Sequence, residues 1–134
     1  MLDNAIIVNI HSEQDIVAAR QHGKRLSKKL KFSTINQIRI TTAVSELARN
    51  IYLYAGKGKI TFESLFKQQK SGIKIIASDQ GPGIKEVRRV LEDGYSTSGG
   101  LGMGLPGVKR LMDEFIIDSH DGAGTTITAV KWVQ

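Results

Sequence analysis

The sequence contains no cysteine, only two prolines and few aromatic side chains. Without cysteine, the chain cannot form disulfide bonds, bind zinc or iron–sulfur clusters through sulfur, or use a thiol nucleophile. No apolar run approaches the ~20 residues that a membrane-spanning helix needs. The first ten residues also lack the pattern of a secretory signal. We therefore expect a cytoplasmic protein that does not bind membranes.

The composition is typical of a folded domain with a basic surface. Of 134 residues, 40% are hydrophobic and 24% are charged, which is enough apolar material for a core. No repeat or low-complexity linker divides the chain, so we expect a single domain over residues 1–134. Lysine and arginine outnumber aspartate and glutamate by 19 to 13. This excess is compatible with nucleic acid, an acidic protein or a phosphate-bearing ligand.

Hydrophobic periodicity predicts five strands and at least three helices. The strands are expected at Ala5–Ile10, Lys59–Phe66, Ile73–Asp79, Glu114–His120 and Thr125–Val133. Helices are expected after Ser12, near Ser33 or Thr34 (a capping box of Thr34 with Gln37), over the charged stretch Lys85–Asp93 and over Leu105–Asp113. Lys67–Gly72 is predicted to be a hairpin turn and Gly56 to end the second helix. The order βααββ(α)αββ favours a mainly antiparallel sheet with helices on one face.

The first helix is predicted to be apolar on one side and basic on the others. Its apolar stripe is Ile16, Ala19, Gly23, Leu26 and Leu30, and its cations are Arg20, Lys24, Arg25, Lys28, Lys29 and Lys31. The cations form either an ordinary solvated face or a docking surface for an acidic partner. No aromatic residue accompanies them before Phe32, so nucleic acid is not expected to bind there.

Glu46 and Asn50 stand four residues apart in the second predicted helix and project from the same side of it. At about 100° per residue they lie beside the apolar stripe of Ile40, Val44, Leu47, Ile51 and Ala55, while Arg49 points nearly opposite. Asparagine can offer an oxygen to a hard cation, and glutamate can accept a proton. The pair is either a site at the edge of the core or two surface polar residues.

The loop Asp79–Gly83 directly follows a predicted strand. The Asp79 carboxylate can accept a hydrogen bond from the amino group of adenine, and it would reject the carbonyl that guanine presents there. Gly81 and Gly83 leave room for a flat ring, and Ile84 offers an apolar wall. The same string is also compatible with a plain Pro-Gly turn.

Glycine is concentrated just before the last predicted helix. The segment Gly99–Leu105 contains Gly99, Gly100, Gly102, Met103, Gly104 and Leu105. Successive glycine N–H groups can converge on an anion, and the helix that follows adds a favourable dipole. The segment is either a phosphate-binding loop, which could move as a lid, or a flexible linker.

Gly122–Thr126 is a second glycine-rich turn, before the last strand. The Thr125 hydroxyl could point at a base or at a bound water. A plain hairpin turn is the alternative.

Motifs of other nucleotide-binding folds are absent or out of context. The chain has no G-x-x-x-x-G-K-[ST], and its G-x-G-x-x-G string at residues 102–107 follows no strand. It also lacks the H-R-D tripeptide of protein kinases, and its three histidines have no metal-ligand spacing.

E-x-x-x-N, D-x-G-x-G, G-x-G before a helix and G-x-G-T follow one another along the chain. This order resembles the GHKL superfamily, the nucleotide-binding fold of gyrase B, heat-shock chaperone ATPases, sensor histidine kinases and anti-sigma-factor serine kinases. Ser45–Gly58, Asp79–Gly83 and Tyr95–Phe115 are similar to the switch kinases of bacterial stressosomes, as is Tyr54-Ala55, where many anti-sigma kinases have His-Gly or His-Ala. The resemblance implies an α+β fold: a two-layer α/β sandwich with a mainly antiparallel, mixed sheet and helices on one face (the Bergerat ATP-binding fold).

The resemblance also implies roles for the candidate residues. Glu46 would be the general base, Asn50 the Mg²⁺ ligand and Asp79 the anchor of the adenine of ATP. The remaining nucleotide contacts would come from Gly81, Gly83, Ile84, Gly99, Gly100, Gly102, Met103, Gly104, Leu105 and Thr125. Gly102 and Gly104 would contact the phosphates, and Thr125 would join the base-binding network.

Glu46 bears on which group receives the phosphate. A serine hydroxyl gains from a nearby base, whereas a neutral histidine already has a lone pair, so the sequence favours a serine/threonine kinase. ATP hydrolysis remains open, because the same base could activate water. The resemblance implies STAS-domain proteins as substrates and a protein phosphatase that is activated by binding. The alternative is a non-catalytic, ATP-dependent binding module of the anti-sigma type.

Overall fold

The computed structural model describes residues 5–83 and 104–134. These ranges contain five strands and three helices in the order β1 α1 α2 β2 β3 α3 β4 β5. The strands are Ile6–Ile10 (β1), Gly58–Lys67 (β2), Lys70–Asp79 (β3), Glu114–Ser119 (β4) and Thr125–Trp132 (β5). The helices are Glu13–Lys29 (α1), Thr34–Tyr54 (α2) and Gly104–Leu111 (α3). The predicted helical stretch Lys85–Asp93 lies outside the described residues.

The strands form one sheet in the order β1-β2-β3-β5-β4. Each of the four pairings between described strands is antiparallel. The predicted mainly antiparallel sheet is therefore confirmed. A mixed sheet was also expected, but the described strands contain no parallel pair. Strand β5 lies between β3 and β4 and is antiparallel to β3, so the last residue of β3 lies beside the first residue of β5 at one end of the sheet.

The helices bury their apolar stripes against one another and against one face of the sheet. In α2, Ile40, Val44 and Leu47 are fully buried and Ile51 is nearly so, which confirms the predicted stripe except for Ala55, the half-buried residue that follows the helix. Each such aliphatic side chain contributes about 1.5–3 kcal/mol when it leaves water. Helix α2 contacts α1, α3 and three strands, so it is the central element of the core. No helix in the two described ranges is long and apolar enough to cross a membrane.

Side-chain caps begin both long helices. The Ser12 hydroxyl accepts a hydrogen bond from Asp15 N, as predicted. Asp15 Oδ2 in turn accepts from the His11 backbone N–H at 2.9 Å. This bond is the main reason that the pKa of Asp15 is lowered from its usual value.

Two predictions at the ends of α2 have different outcomes. The capping box of Thr34 with Gln37 is wrong: Ser33 is the cap and accepts from Asn36 N, while Gln37 Nε2 donates to the Phe32 carbonyl. A serine one residue earlier takes the position that Thr34 would have held. The predicted stop is confirmed, because Gly56 has a φ of +81° and directly follows the helix.

The β2–β3 hairpin is tighter than predicted. Lys67 pairs with Lys70, so the strands continue through most of the expected turn and only two residues connect them. Gln68 and Gln69 both have positive φ, 53° and 65°, as in a type I′ turn. Nothing in their residue type signals this conformation, which favours Asn and Gly.

Near its turn, this hairpin is covered by Trp132, the only tryptophan of the sequence. A Cβ on Gly72 of β3 would lie 2.6 Å from Trp132 Cε3, so the glycine makes room for the indole ring. Trp132 Nε1 donates a hydrogen bond to Glu114 Oε2 at 2.8 Å.

We expect the double substitution Gln68→Asn/Gln69→Gly to stabilise the protein by about 1 kcal/mol, because Asn and Gly adopt positive φ at lower cost. Urea denaturation would measure the free energy of unfolding. Lys67→Gly, which places glycine at a strand position beside the same turn, serves as the control and should destabilise. Equal or lower stability of the Asn-Gly variant would contradict the assignment of a strained turn.

Candidate nucleotide-binding and catalytic site

The last turn of α2 packs directly on the end of the sheet at which β3 stops. A Cβ on Gly81 would lie 2.6 Å from Ala55 Cβ, and one on Gly58 would lie 2.8 Å from Ile51 Cγ2. Real Cβ atoms do not approach this closely, so both positions require glycine. The Asp79–Gly83 loop and the C-terminal end of α2 therefore form one wall of the candidate site.

Asp79 is the last residue of β3, the central strand of the sheet. It pairs with Gly58 of β2 on one side and with Thr125 of β5 on the other. Asp79 Oδ1 accepts a hydrogen bond from Gly81 N at 2.8 Å, while Oδ2 makes none to the described residues. One oxygen is thus held by the loop, and the other can accept a bond from a ligand.

The β4–β5 turn supports the same loop from the opposite side. Gly83 and Gly124 have φ of +78° and +82°. A Cβ on Gly83 would overlap the His120 carbonyl, and one on Gly124 would overlap the Asp79 carbonyl. The two backbones touch without intervening side chains, so the space beside Gly83 that was predicted to admit a flat ring is taken by the His120 carbonyl.

The Thr125 hydroxyl belongs to a short hydrogen-bond chain. Ser119 Oγ donates to the Gly124 carbonyl at 3.0 Å and lies 2.8 Å from Thr125 Oγ1. Since the single Ser119 hydrogen is used for Gly124, Thr125 donates to Ser119 and keeps its own lone pairs as acceptors. Sequence reasoning missed Ser119. Its position opposite Thr125 depends on the β4–β5 register.

Glu46 and Asn50 lie on α2 as predicted. The Glu46 side chain is only 11% exposed. Asn50 is half-buried, and its amide makes no hydrogen bond to the described residues. At 1.5 Å per residue, Asn50 lies about 7.5 Å and Glu46 about 13.5 Å from Ala55 along the helix axis.

Arg49 adds a contact that sequence reasoning missed. It is expected to point nearly opposite the apolar stripe, and on that side its Nη1 lies 2.6 Å from Glu46 Oε2. The signal was present as opposite charges three residues apart on a helix. Long side chains can turn from the direction of their Cβ atom to a neighbouring charge.

The glycine-rich segment is described only from its last residues onward. Gly104, with a φ of +56°, begins α3, which packs on α2. The Leu105 side chain is 5% exposed and belongs to the hydrophobic core, and its predicted nucleotide contact stays a prediction. The other predicted contacts, Ile84, Gly99, Gly100, Gly102 and Met103, lie outside the described residues.

Comparison with known proteins places this arrangement in a family. Residues 35–133 match the family described as histidine kinase-, DNA gyrase B-, and HSP90-like ATPase. The chain is 64% identical over 127 residues to the serine/threonine-protein kinase RsbT of Bacillus subtilis (strain 168), covering 95% of this chain and 96% of that protein. The chain belongs to the RsbT-type serine/threonine-protein kinases. The predicted resemblance, the GHKL fold and the kinase class are thereby confirmed.

More distant relatives of this RsbT-type chain share the fold. It is 32% identical over 107 residues to an anti-sigma F factor of Caldanaerobacter subterraneus subsp. tengcongensis (strain DSM 15242 / JCM 11007 / NBRC 100824 / MB4), covering 75% of this chain and 73% of that protein. The RsbU and RsbW domains of Rv1364c from Mycobacterium tuberculosis match with a TM-score of 0.66 and 13% identity, over 96% of this chain and 32% of that one. The mycobacterial sensor histidine kinase MprB matches with a TM-score of 0.56 and 16% identity, over 98% and 97% of the two chains. At these identities, the two structures show the fold alone.

We expect Gly83→Ala to weaken both folding and ATP binding more than Gly122→Ala does. Both glycines have φ near +80°, but only Gly83 faces a backbone carbonyl, whereas a Cβ on Gly122 would meet open space. The difference should be about 1–3 kcal/mol in the free energy of unfolding, as for other overpacked sites. Urea denaturation and calorimetry with ATP would measure the two effects, and equal losses in both variants would contradict the packing argument.

Proposed function

We propose that this chain transfers the γ-phosphoryl group of ATP to a serine or threonine of STAS-domain regulatory proteins. We further propose that it acts as a partner-switching regulator that activates a protein phosphatase by binding it. The observation that carries the reaction is the nearly buried Glu46 carboxylate. It lies one helical turn from the Asn50 amide, which makes no hydrogen bond to residues 5–83 or 104–134, on the helix that ends against the Asp79 loop.

The base-binding end is proposed at Asp79 and Thr125. Asp79 Oδ2, which makes no hydrogen bond within the described ranges, would accept one from the exocyclic amino group of adenine, and the Thr125 lone pairs would accept from the base or from a water. Guanine would present a carbonyl to the same carboxylate and would be rejected. Gly81 and Gly83 are proposed to contact the base through backbone atoms, since Ala55 and the His120 carbonyl fill the space that their Cβ atoms would take.

The order of residues along α2 supports the position of the phosphates. Ala55 contacts the Asp79 loop, Asn50 lies one turn further away and Glu46 a second turn beyond. Adenine, the phosphate chain and the transferred phosphoryl group follow in the same order in ATP. The glycine N–H groups of the 99–104 segment are proposed to bind the phosphates.

The donor set fits a magnesium ion that is shared with the nucleotide. Within residues 5–83 and 104–134, no three His, Cys, Asp or Glu side chains are grouped as a metal site. Mg²⁺ typically takes one or two protein ligands and completes its shell with water and phosphate oxygens. Asn50 would therefore supply one oxygen. The ion, when bound, would neutralise charge on the phosphates.

Glu46 is proposed to act as the general base. The substrate hydroxyl oxygen attacks the γ-phosphorus, and the bond to the β–γ bridging oxygen breaks, so that ADP leaves. The hydroxyl proton passes to the Glu46 carboxylate. Because Glu46 lies on a helix beside the hydrophobic core, it is held in position throughout the reaction. This favours a kinase over a module that only binds ATP.

The proposed partners rest on the relatives and on charge. The chain is similar to RsbT over nearly its whole length, and partner switching with regulatory proteins is supported by this similarity and by the anti-sigma F factors. The cations of α1, including Lys24 and Lys28, are exposed and would suit an acidic surface.

A second candidate function is a non-catalytic, ATP-dependent binding module of the anti-sigma type. The 32% identity to an anti-sigma F factor favours it. Incubation with γ-labelled ATP and a STAS-domain protein distinguishes the two, because only a kinase labels that protein.

We expect Glu46→Gln to abolish phosphotransfer in this assay while ATP binding stays nearly intact, because the amide cannot take the hydroxyl proton. Calorimetry would measure binding, and gel autoradiography would measure transfer. Glu63→Gln, on β2, is the control and should transfer normally. Near-normal labelling by the Glu46 variant would remove this residue from the base role.

We expect Asp79→Asn to weaken ATP binding about 10-fold or more, because a hydrogen bond to a charged acceptor is lost. The preference for ATP over GTP should fall at the same time. Calorimetry with both nucleotides measures these effects, with Asp121→Asn in the exposed β4–β5 turn as control. Unchanged ATP affinity would refute the adenine anchor.

A further inference from the structure

Arg49 holds the candidate base by one oxygen only. Its Nη1 lies 2.6 Å from Glu46 Oε2, whereas Glu46 Oε1 makes no hydrogen bond to residues 5–83 or 104–134. Glu46 is 11% exposed and Arg49 36% exposed. Hydrogen bonds between charged groups are short and directional, so this bond orients the carboxylate and leaves one oxygen open.

Helical geometry places Arg49 and Asn50 on opposite sides of Glu46. At about 100° per residue, Arg49 lies about 60° to one side and Asn50 about 40° to the other. The guanidinium therefore reaches the carboxylate from the side away from Asn50 and from the apolar stripe. Arg49 therefore does not occupy the side on which the proposed metal ligand lies.

We propose that Arg49 is a positioning residue that, through its bond to Oε2, aims Glu46 Oε1 at the hydroxyl to be phosphorylated. This inference rests on the proposed function, in which Glu46 is the base. The hydroxyl proton moves to Oε1, and Arg49 keeps all its protons because a guanidinium stays charged. Its positive charge also offsets the repulsion between the Glu46 carboxylate and the triphosphate.

The competing explanation is an ordinary pair that only supports the helix. Arg39 offers a matched comparison, since its Nη1 donates to Asn36 Oδ1 at 3.0 Å on the same helix and with the same spacing. Arg39→Gln therefore removes a similar contact without touching Glu46.

The test compares Arg49→Gln, Arg49→Lys, Glu46→Gln, the double variant Glu46→Gln/Arg49→Gln and Arg39→Gln. The assay follows loss of the γ-phosphoryl group from ATP with Mg²⁺ and a STAS-domain protein, to the protein or to water. It yields kcat and the KM for ATP, and thermal unfolding is recorded for each variant.

We expect Arg49→Gln to lower kcat about 10- to 100-fold, as misplacement of a catalytic group does, with little change in KM or in thermal stability. Arg49→Lys should recover part of the loss, because it restores the charge and a donor. Arg39→Gln should match the wild type. The double variant should be no slower than Glu46→Gln alone, because Arg49 would act only through Glu46.

The outcomes separate the two proposals. Normal kcat in Arg49→Gln beside an inactive Glu46→Gln overturns the role of Arg49 and leaves the proposed function standing. Normal kcat in Glu46→Gln overturns both. The positioning role is overturned if the loss of kcat in Arg49→Gln accompanies a lowered thermal midpoint and Arg49→Lys does not recover it. It is also overturned if the double variant is slower than Glu46→Gln alone.

Discussion

The close approach of α2 to the end of the sheet beside Asp79 is the constraint on which the candidate site depends. Gly58 and Gly81 have no Cβ atom, and Ile51 and Ala55 occupy the space that a side chain would fill. The last turn of the helix is thereby fixed relative to Asp79. The rigid helix therefore sets the distance from Asp79 to every earlier residue of α2, including Glu46, the proposed general base.

The loop that carries Asp79 is held from two sides by backbone contacts. Gly83 and Gly124 take positive φ and touch carbonyl groups of the β4–β5 turn and of β3, and Ser119 bonds to the Gly124 carbonyl. A loop fixed in this way can keep one Asp79 oxygen for its own amide and the other for a ligand. Preorganised acceptors of this kind favour recognition without a large ordering cost.

Local sequence patterns predicted the parts of the fold that depend on local forces. The α2 stripe and the Gly56 stop follow from helical periodicity and from the tolerance of glycine for positive φ, and both are present. Ser33 and Thr34 are both good N-cap residues for α2. The sequence does not show which of the two neighbours takes the cap position. The family motifs predicted the candidate residues as an ordered set.

The features that were missed depend on contacts between distant or flexible parts. The Ser119–Thr125 bond requires the strand register, and the Arg49–Glu46 bond requires a long side chain to choose one of several rotamers. The two-residue turn at Gln68-Gln69 is imposed by the ladder around it and not by its own residues.

The placement of the lone indole has a practical meaning for spectroscopy. Trp132 covers Gly72, seven residues before Asp79 on the same strand, which is about 23 Å away at the spacing of an extended chain. Its fluorescence emission is therefore sensitive to whether the sheet is intact, and the indole is remote from the proposed purine site at Asp79. The intrinsic fluorescence of Trp132 therefore reports on the folded state, and a nucleotide bound at the proposed site would not quench it by contact.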